Sequence, residues 1–146
     1  MGLLAYALYL QHALWLDPCP LCILQRVAFV GMGLFFLIGG LHSPARTGRL
    51  IYAVLIDLFG TAGAFVAGRH IWLQNLPPDE VPDCGPGLGY MLENFPLADA
   101  ARQVFEGSGE CATVDWQFLG LSMPWWTLIW FFGLSAFAVF VALRRQ

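Results

Sequence analysis

Residues 17–41 read DPCPLCILQRVAFVGMGLFFLIGGL: two cysteines three apart between prolines, one arginine, then fifteen residues without a charge. From Leu21 to Leu41 the only charge is that of Arg26. A helix rising 1.5 Å per residue crosses about 30 Å of hydrocarbon in roughly 20 residues, so the run predicts a bilayer-spanning helix with a reactive pair at its lip. Leu50–Leu73 and Pro124–Leu143 have the same character. Gly2–Leu16 is a shorter fourth run. Its 15 residues reach only about 22 Å and no basic flank precedes them, so the sequence is read as starting inside its first helix.

Of the 146 residues, 58% are hydrophobic and 12% charged, with a mean hydropathy of +0.65. Soluble domains carry about 25% charged residues, and one soluble core is too small a home for this much apolar surface. The expected fold is therefore an all-α integral membrane protein. It is a single membrane domain over residues 1–146, a four-transmembrane-helix bundle with spans 2–16, 21–41, 50–73 and 124–143 and a long loop at 74–120. A cleaved signal peptide is the rival reading of the N-terminus, but no Lys or Arg precedes Arg26 and no small-x-small pattern occurs. A lipoprotein signal ending at Cys19 fails because Leu16, Asp17 and Pro18 stand where small residues belong.

Orientation follows from the arginines, since there is no lysine. Arg46 and Arg49 fall in the turn 41–50, and Arg144 and Arg145 close the chain, so the positive-inside rule puts that turn and the C-terminus in the cytoplasm. With four spans the N-terminus is there too. The link 17–20 and the loop 74–120 face the other side; the loop carries eight acids against one base, Arg102, and all four cysteines lie on that side.

Proline and glycine at both ends of the loop predict a mostly irregular, mobile segment. Its middle differs. Leu97, Ala100, Ala101, Val104 and Phe105 repeat at helical spacing, with Asp99, Arg102, Gln103 and Glu106 opposite, Pro96 to start the helix and Gly107 to stop it. Such a short amphipathic helix, tethered to the bilayer at both ends, is expected to lie along the membrane surface, with Tyr90, Met91, Leu92 and Phe95 dipping beside it.

Four cysteines on one exported side predict an oxidising compartment and two disulfides, in any of three connectivities. Structural staples are the bland reading. Cys19-Pro20-Leu21-Cys22 argues against it, because so small a ring stabilises little, whereas a helix N-terminus favours a thiolate and suits reversible exchange. Cys22, in the first turn of the helix, is the better-placed thiolate. No metal is expected: Cys84 and Cys111 are 27 residues apart, and His12, His42 and His70 are scattered along the chain.

Arg26 lies one turn beyond Cys22 on the same face. An intramembrane charge either snorkels to the interface or serves a site; here it is read as stabilising negative charge on a sulfur or a polar cofactor head. His70, near the matching end of the third helix, is read as a hydrogen-bond or proton donor at the same depth. Asp57 receives no partner and no role.

Joined to Cys84, Gly109-Glu110-Cys111 and Trp116-Gln117-Phe118-Leu119-Gly120-Leu121-Ser122-Met123-Pro124, the Cys19-Pro20-Leu21-Cys22 motif with Arg26 closely resembles the DsbB family of bacterial inner-membrane disulfide-forming proteins. His70-Ile71-Trp72-Leu73-Gln74 matches a further motif of that family, and the resemblance runs from Leu10 into the fourth helix. It implies an inner-membrane four-helix bundle with periplasmic cysteines, which passes electrons from a soluble periplasmic thiol oxidase, DsbA, to ubiquinone or menaquinone. No nucleic-acid partner is expected.

The same resemblance implies roles. Cys84 and Cys111 would form the loop disulfide, with Cys84 attacked by the reduced partner and Cys111 released. Cys111 would then attack Cys19 and free Cys22 as a thiolate facing the quinone. Arg26 would polarise a quinone oxygen and hold that thiolate, His70 would stand beside the ring, and Met123 would line the pocket. An interloop Cys19–Cys111 bond is also chemically allowed. Alternatives are a vitamin-K-epoxide-reductase-like protein, whose pair should lie late in the chain, a DsbB paralogue with a dedicated partner, and a non-enzymatic scaffold with a stapled loop.

Overall fold

In chain order the helices are α1 (Gly2–Leu14), α2 (Pro20–His42), α3 (Arg46–Gln74), α4 (Leu97–Glu106) and α5 (Met123–Arg144). The structure is a computed structural model that describes residues 2–14, 19–42, 45–81, 90, 93–106, 109–112, 114 and 117–144. The expectations placed on Cys84, Met91, Leu92, Gly107 and Arg145, and on the side chains of Leu97, Ala100, Ala101, Gln103 and Phe105, lie outside the described residues. Helices α2, α3 and α5 are long and apolar enough to cross a membrane, which marks a membrane protein. Among the described residues α1 runs for 13, short of a full span.

Helix α3 begins before its apolar run. Arg46 and Arg49, expected in a turn, lie in its first turn, and the Arg49 N–H donates to the Ala45 carbonyl at 3.0 Å. Arginine is a good helix former, so nothing there delays the start. The helix stops at Asn75, whose side-chain amide donates to the Ile71 carbonyl at 2.7 Å, with Pro77 just beyond.

The register of the three long helices decides what faces inward. Buried Ala53, Ile56, Gly60, Gly63, Ala67 and His70 on α3 alternate three and four apart, the spacing of a knobs-into-holes seam. Leu21, Gln25, Ala28 and Met32 continue the same alternation on α2. Among lipids, helices associate through close van der Waals contact rather than the hydrophobic effect, which favours small seam residues. A Cβ on Gly63 would strike the Phe131 ring of α5, one on Gly60 the Ser135 side chain, and one on Gly31 the Phe59 ring at 2.5 Å.

Phe131 is fully buried and stacks on Phe29 of α2 with centroids 4.1 Å apart. The pairs Gln25–Thr127, Phe29–Phe131 and Phe36–Phe137 ascend together, so α2 and α5 run parallel with α3 antiparallel to both. The outward positions are apolar too: Val27, Val30 and Leu34 on α2, Val54 and Phe65 on α3, and Phe132 on α5 are all exposed, as contact with lipid requires.

Between α3 and α5 the described residues hold a 3-10 turn at Pro78–Glu80, α4, a helical turn at Gly109–Ala112 and a hairpin. The hairpin pairs β1 (Gln117–Phe118) with β2 (Leu121–Ser122), Gln117 opposite Ser122 and Phe118 opposite Leu121. Its central residues Leu119 and Gly120 have φ of 54° and 78°, the sign pattern of a type I′ turn. Strands of two residues leave no alternation to read, so the sequence offered no sign of them. The Ser122 hydroxyl donates to Gln74 Oε1 at 2.7 Å, and Trp126 Nε1 donates to the Phe118 carbonyl at 3.2 Å, tying the hairpin to the ends of α3 and α5.

Candidate redox site

Cys19 is the N-cap of α2. Its carbonyl accepts the Ile23 N–H at 3.2 Å and its sulfur accepts the Cys22 N–H at 3.3 Å, an N-cap in which sulfur replaces the usual oxygen. Pro20 suits the first helical position, where a missing N–H leaves nothing unpaired. The positive end of the helix is thus offered to the Cys19 sulfur, whereas the spacing had favoured Cys22. The Cys19 and Cys22 sulfurs lie 2.7 Å apart; Cys19 is buried and Cys22 partly exposed.

The α3 seam ends at His70, which is only 3% exposed. Its Nε2 lies 3.9 Å from the Cys19 sulfur and its Nδ1 lies 4.0 Å from the Cys22 sulfur, so the imidazole faces both. Nδ1 is 3.3 Å from the Gln25 amide nitrogen, and Gln25 Oε1 accepts the Thr127 hydroxyl at 2.9 Å. Three helices each contribute one polar side chain at one level, and each finds a partner there, which offsets the cost of burying them. The Gln25 amide nitrogen is placed to donate to Nδ1, and Nε2 is the ring nitrogen that faces Cys19.

Cys111 is fully buried in an apolar cluster with Cys19, Leu21, Val66, Leu73 and Val104. Val104 belongs to α4, so the loop helix packs on the bundle beside Cys19; a helix read as lying on a membrane surface had no such packing partner. Arg69 of α3 donates to the Glu106 carbonyl at 3.3 Å, a cation meeting the negative end of α4. The same guanidinium lies 4.1 Å from the Trp72 ring centroid.

Arg26 is partly buried, and its Nη1 donates to Gln11 Oε1 of α1 at 2.6 Å, which ties α1 to α2. Met123 opens α5, partly buried, next to the serine that bonds Gln74. Cys84 is outside the described residues. Asp57 is half-buried on α3, where the Thr61 hydroxyl donates to its backbone carbonyl at 2.8 Å. The structure therefore brings together Cys19, Cys22, His70 and Cys111, and adds Gln25, Thr127 and Gln11, which the sequence had not singled out. Gln25 did carry a signal: it is a polar residue three positions after Cys22 in a span, and intramembrane polar groups are seldom idle.

Two touching thiols, an imidazole facing both and a third cysteine in the adjoining cluster suit thiol–disulfide exchange. The sequence model of the family described as Disulfide bond formation protein DsbB matches residues 1–141. The chain belongs to the DsbB family. A relative named Disulfide bond formation protein B from Saccharophagus degradans is 52% identical over 145 residues, covering 99% of this chain and 87% of the relative. A namesake from Methylococcus capsulatus is 53% identical over 138 residues, 94% of this chain and 84% of the relative. One from Hahella chejuensis is 51% identical over 144 residues, 99% and 87% of the two chains. The DsbB family name carries a role in disulfide bond formation, and the paired thiols at the head of α2 are groups of the type that chemistry needs.

Proposed function

We propose that the chain is a membrane thiol:quinone oxidoreductase that reoxidises a periplasmic DsbA-like thiol oxidase and passes the electrons to ubiquinone or menaquinone. The supporting observation is the meeting of Cys19, Cys22 and His70, with Cys111 in the same cluster as Cys19. In this reading the chain sits in the bacterial inner membrane with four spans, α1 belonging to the first, both termini cytoplasmic and the cysteines at the periplasmic face.

The exchange runs through four sulfurs. A thiolate of the reduced partner attacks Cys84, the Cys84–Cys111 bond breaks, and the electron pair leaves on Cys111. Cys111 attacks Cys19, and the pair leaves on Cys22 as the Cys19–Cys22 bond breaks. The partner's second thiolate frees Cys84, which displaces Cys19 from Cys111 and restores the loop disulfide. Cys19 and Cys22 then close again as two electrons and two protons leave the chain. A DsbA-like partner is a strong oxidant when oxidised, so its reoxidation needs a stronger acceptor still.

A bound quinone supplies that two-electron, two-proton sink. The residues present fit it: Cys22 is the more exposed sulfur, His70 and Arg26 offer donors for a carbonyl oxygen, and Val27 and Val30 present an apolar outer face nearby. His70 holds its proton on Nε2 beside Cys19, and the Gln25–Thr127 pair keeps the ring in that tautomer. Arg26 stabilises negative charge around Cys22. Val104 of α4 packs in the same cluster as Cys19 and Cys111, and Arg69 holds α4 near the bundle during exchange.

The test is a turnover assay on purified chain in lipid nanodiscs, with reduced DsbA-like protein and a soluble ubiquinone analogue followed by its ultraviolet absorbance. One quinone reduced per dithiol oxidised is expected. The reading fails if Cys19 and Cys22 remain oxidised through many equivalents of reduced partner.

A further inference from the structure

We propose that Cys19, Cys22 and His70 in their reduced state form a three-ligand site for a thiophilic divalent cation, with zinc as the ligand of choice, and that zinc there locks the pair as dithiolate. The inference goes beyond the proposed electron transfer and requires only that the two cysteines can be reduced. The two sulfurs and one imidazole nitrogen all lie within 4.8 Å of one another. Along the chain His70 is 48 residues from Cys22, so spacing hides a ligand set that the packing of α2 on α3 assembles.

One sulfur–nitrogen edge is already close to that of a bound site. Zinc at about 2.3 Å from sulfur and about 2.0 Å from nitrogen puts neighbouring tetrahedral donors roughly 3.5 to 3.8 Å apart. The Cys19 sulfur is 3.9 Å from Nε2, whereas the Cys22 sulfur is 4.0 Å from the other ring nitrogen, Nδ1, so its side chain has to swing toward Nε2 for all three donors to meet one cation. The sulfurs, at 2.7 Å, have to separate by about 1 Å, which rotation of the partly exposed Cys22 side chain provides. Two thiolates and one neutral imidazole on a divalent cation sum to zero charge, so the complex avoids the penalty of an ion in an apolar site. A fourth position stays open toward Cys22 for water.

A second feature points the same way. Ligating histidines almost always fix their other ring nitrogen with a hydrogen bond. With His70 bound through Nε2, Nδ1–H faces the Gln25 amide, which turns its oxygen to accept that proton and its NH2 to the Thr127 hydroxyl. That hydroxyl donates in turn to the Pro124 carbonyl at 2.8 Å. Binding breaks two S–H bonds, forms two Zn–S bonds and one Zn–N bond and releases two protons; no electron moves. The sulfurs keep the oxidation state of the dithiol, and a pair held on zinc cannot close to a disulfide.

The experiment uses the chain carrying Cys84→Ser and Cys111→Ser, so that only Cys19 and Cys22 bear thiols, reduced and desalted under argon in nanodiscs. Cobalt(II) is the spectroscopic probe and zinc the competitor. Expected are one cobalt per chain, a thiolate-to-cobalt band in the near ultraviolet with tetrahedral visible bands, two protons released per cation, and displacement by zinc. His70→Ala is expected to weaken binding at least tenfold, and Gln25→Leu to weaken it about tenfold. The proposal is overturned if the reduced chain shows no thiolate-to-cobalt band, if the oxidised chain binds equally well, or if both His70→Ala and His70→Gln, with helicity intact by circular dichroism, bind as tightly as the parent. Quinone reduction by zinc-free wild-type chain, run in parallel, tests the proposed function separately.

Discussion

The two ends of the three-helix seam are built on one register and filled with different chemistry. At the cysteine end, Gln25, His70 and Thr127 occupy inward positions, and their polar atoms engage one another under a cover of Leu21, Leu73 and Val104. At the other end, the inward groups of the same helices are Ala53, Ile56, Ala138 and Ala142, which with the partly buried Phe35, Phe36 and Tyr52 line a cavity of about 430 Å³ with Arg49 at its wall. The spacing that buries Ile56 also buries His70. Register decides which residues are desolvated, and side-chain identity decides whether the desolvated place is reactive or merely filled. At the cysteine end the buried polar groups are arranged to satisfy one another and face two sulfurs; at the far end, aromatic packing leaves space.

If the difference between the ends is functional, changes of similar size should have unequal effects. The largest is expected from Cys19→Ser, which removes the N-cap sulfur and the proposed receiver of Cys111; turnover with reduced partner and quinone should vanish while partner–Cys84 mixed disulfide still appears on non-reducing gels. His70→Phe comes next. It should lower turnover by about a hundredfold, the scale of a lost proton-transfer group, and cost about 1–3 kcal/mol by taking the His70 acceptor from the Gln25 amide nitrogen, read by thermal melting in nanodiscs.

Gly63→Leu attacks the shared register instead of either end. With Phe131 against that glycine, overpacking should cost about 1–3 kcal/mol, and turnover should fall only as far as folded protein is lost. Thr127→Val removes a hydroxyl that reaches both Gln25 Oε1 and the Pro124 carbonyl, a loss of about 0.5–1.5 kcal/mol; a larger fall in turnover than in melting temperature would show that the contact with Gln25 positions His70. The smallest effect is expected at the far end. Ala142→Leu projects into the cavity and should leave turnover unchanged, with melting temperature equal or slightly raised; lost turnover there would break the contrast between the ends.

Much of this was legible in sequence, for physical reasons that also mark the boundary. Apolar runs of span length are a strong signal, and Leu21–Leu41 sits inside α2 within a residue at each end. Cys19, Cys22 and His70 could be picked out because sulfur at a helix start and an imidazole near a span end are chemically unusual. Their mutual distances could not, because nothing local relates Cys22 to a histidine on another helix. The dismissal of metal rested on spacing along the chain, and the folded cluster removes that ground. Gln25 drew no reading, because the partners that define its place, His70 and Thr127, lie 45 and 102 residues away. The cover over Cys19 was hidden for the same reason: Val104 looked like one apolar residue of a surface helix, and only tertiary contact shows where it packs.

The central claim is that Cys22 is the sulfur that meets the electron acceptor, with Cys19 receiving electrons from the loop. It is tested most directly by the visible absorption of reduced chain mixed with ubiquinone under argon, for the parent, Cys19→Ser and Cys22→Ser. A thiolate-to-quinone band present in the parent and in Cys19→Ser, and absent in Cys22→Ser, is the expected result. A band that survives in Cys22→Ser and disappears in Cys19→Ser would contradict it.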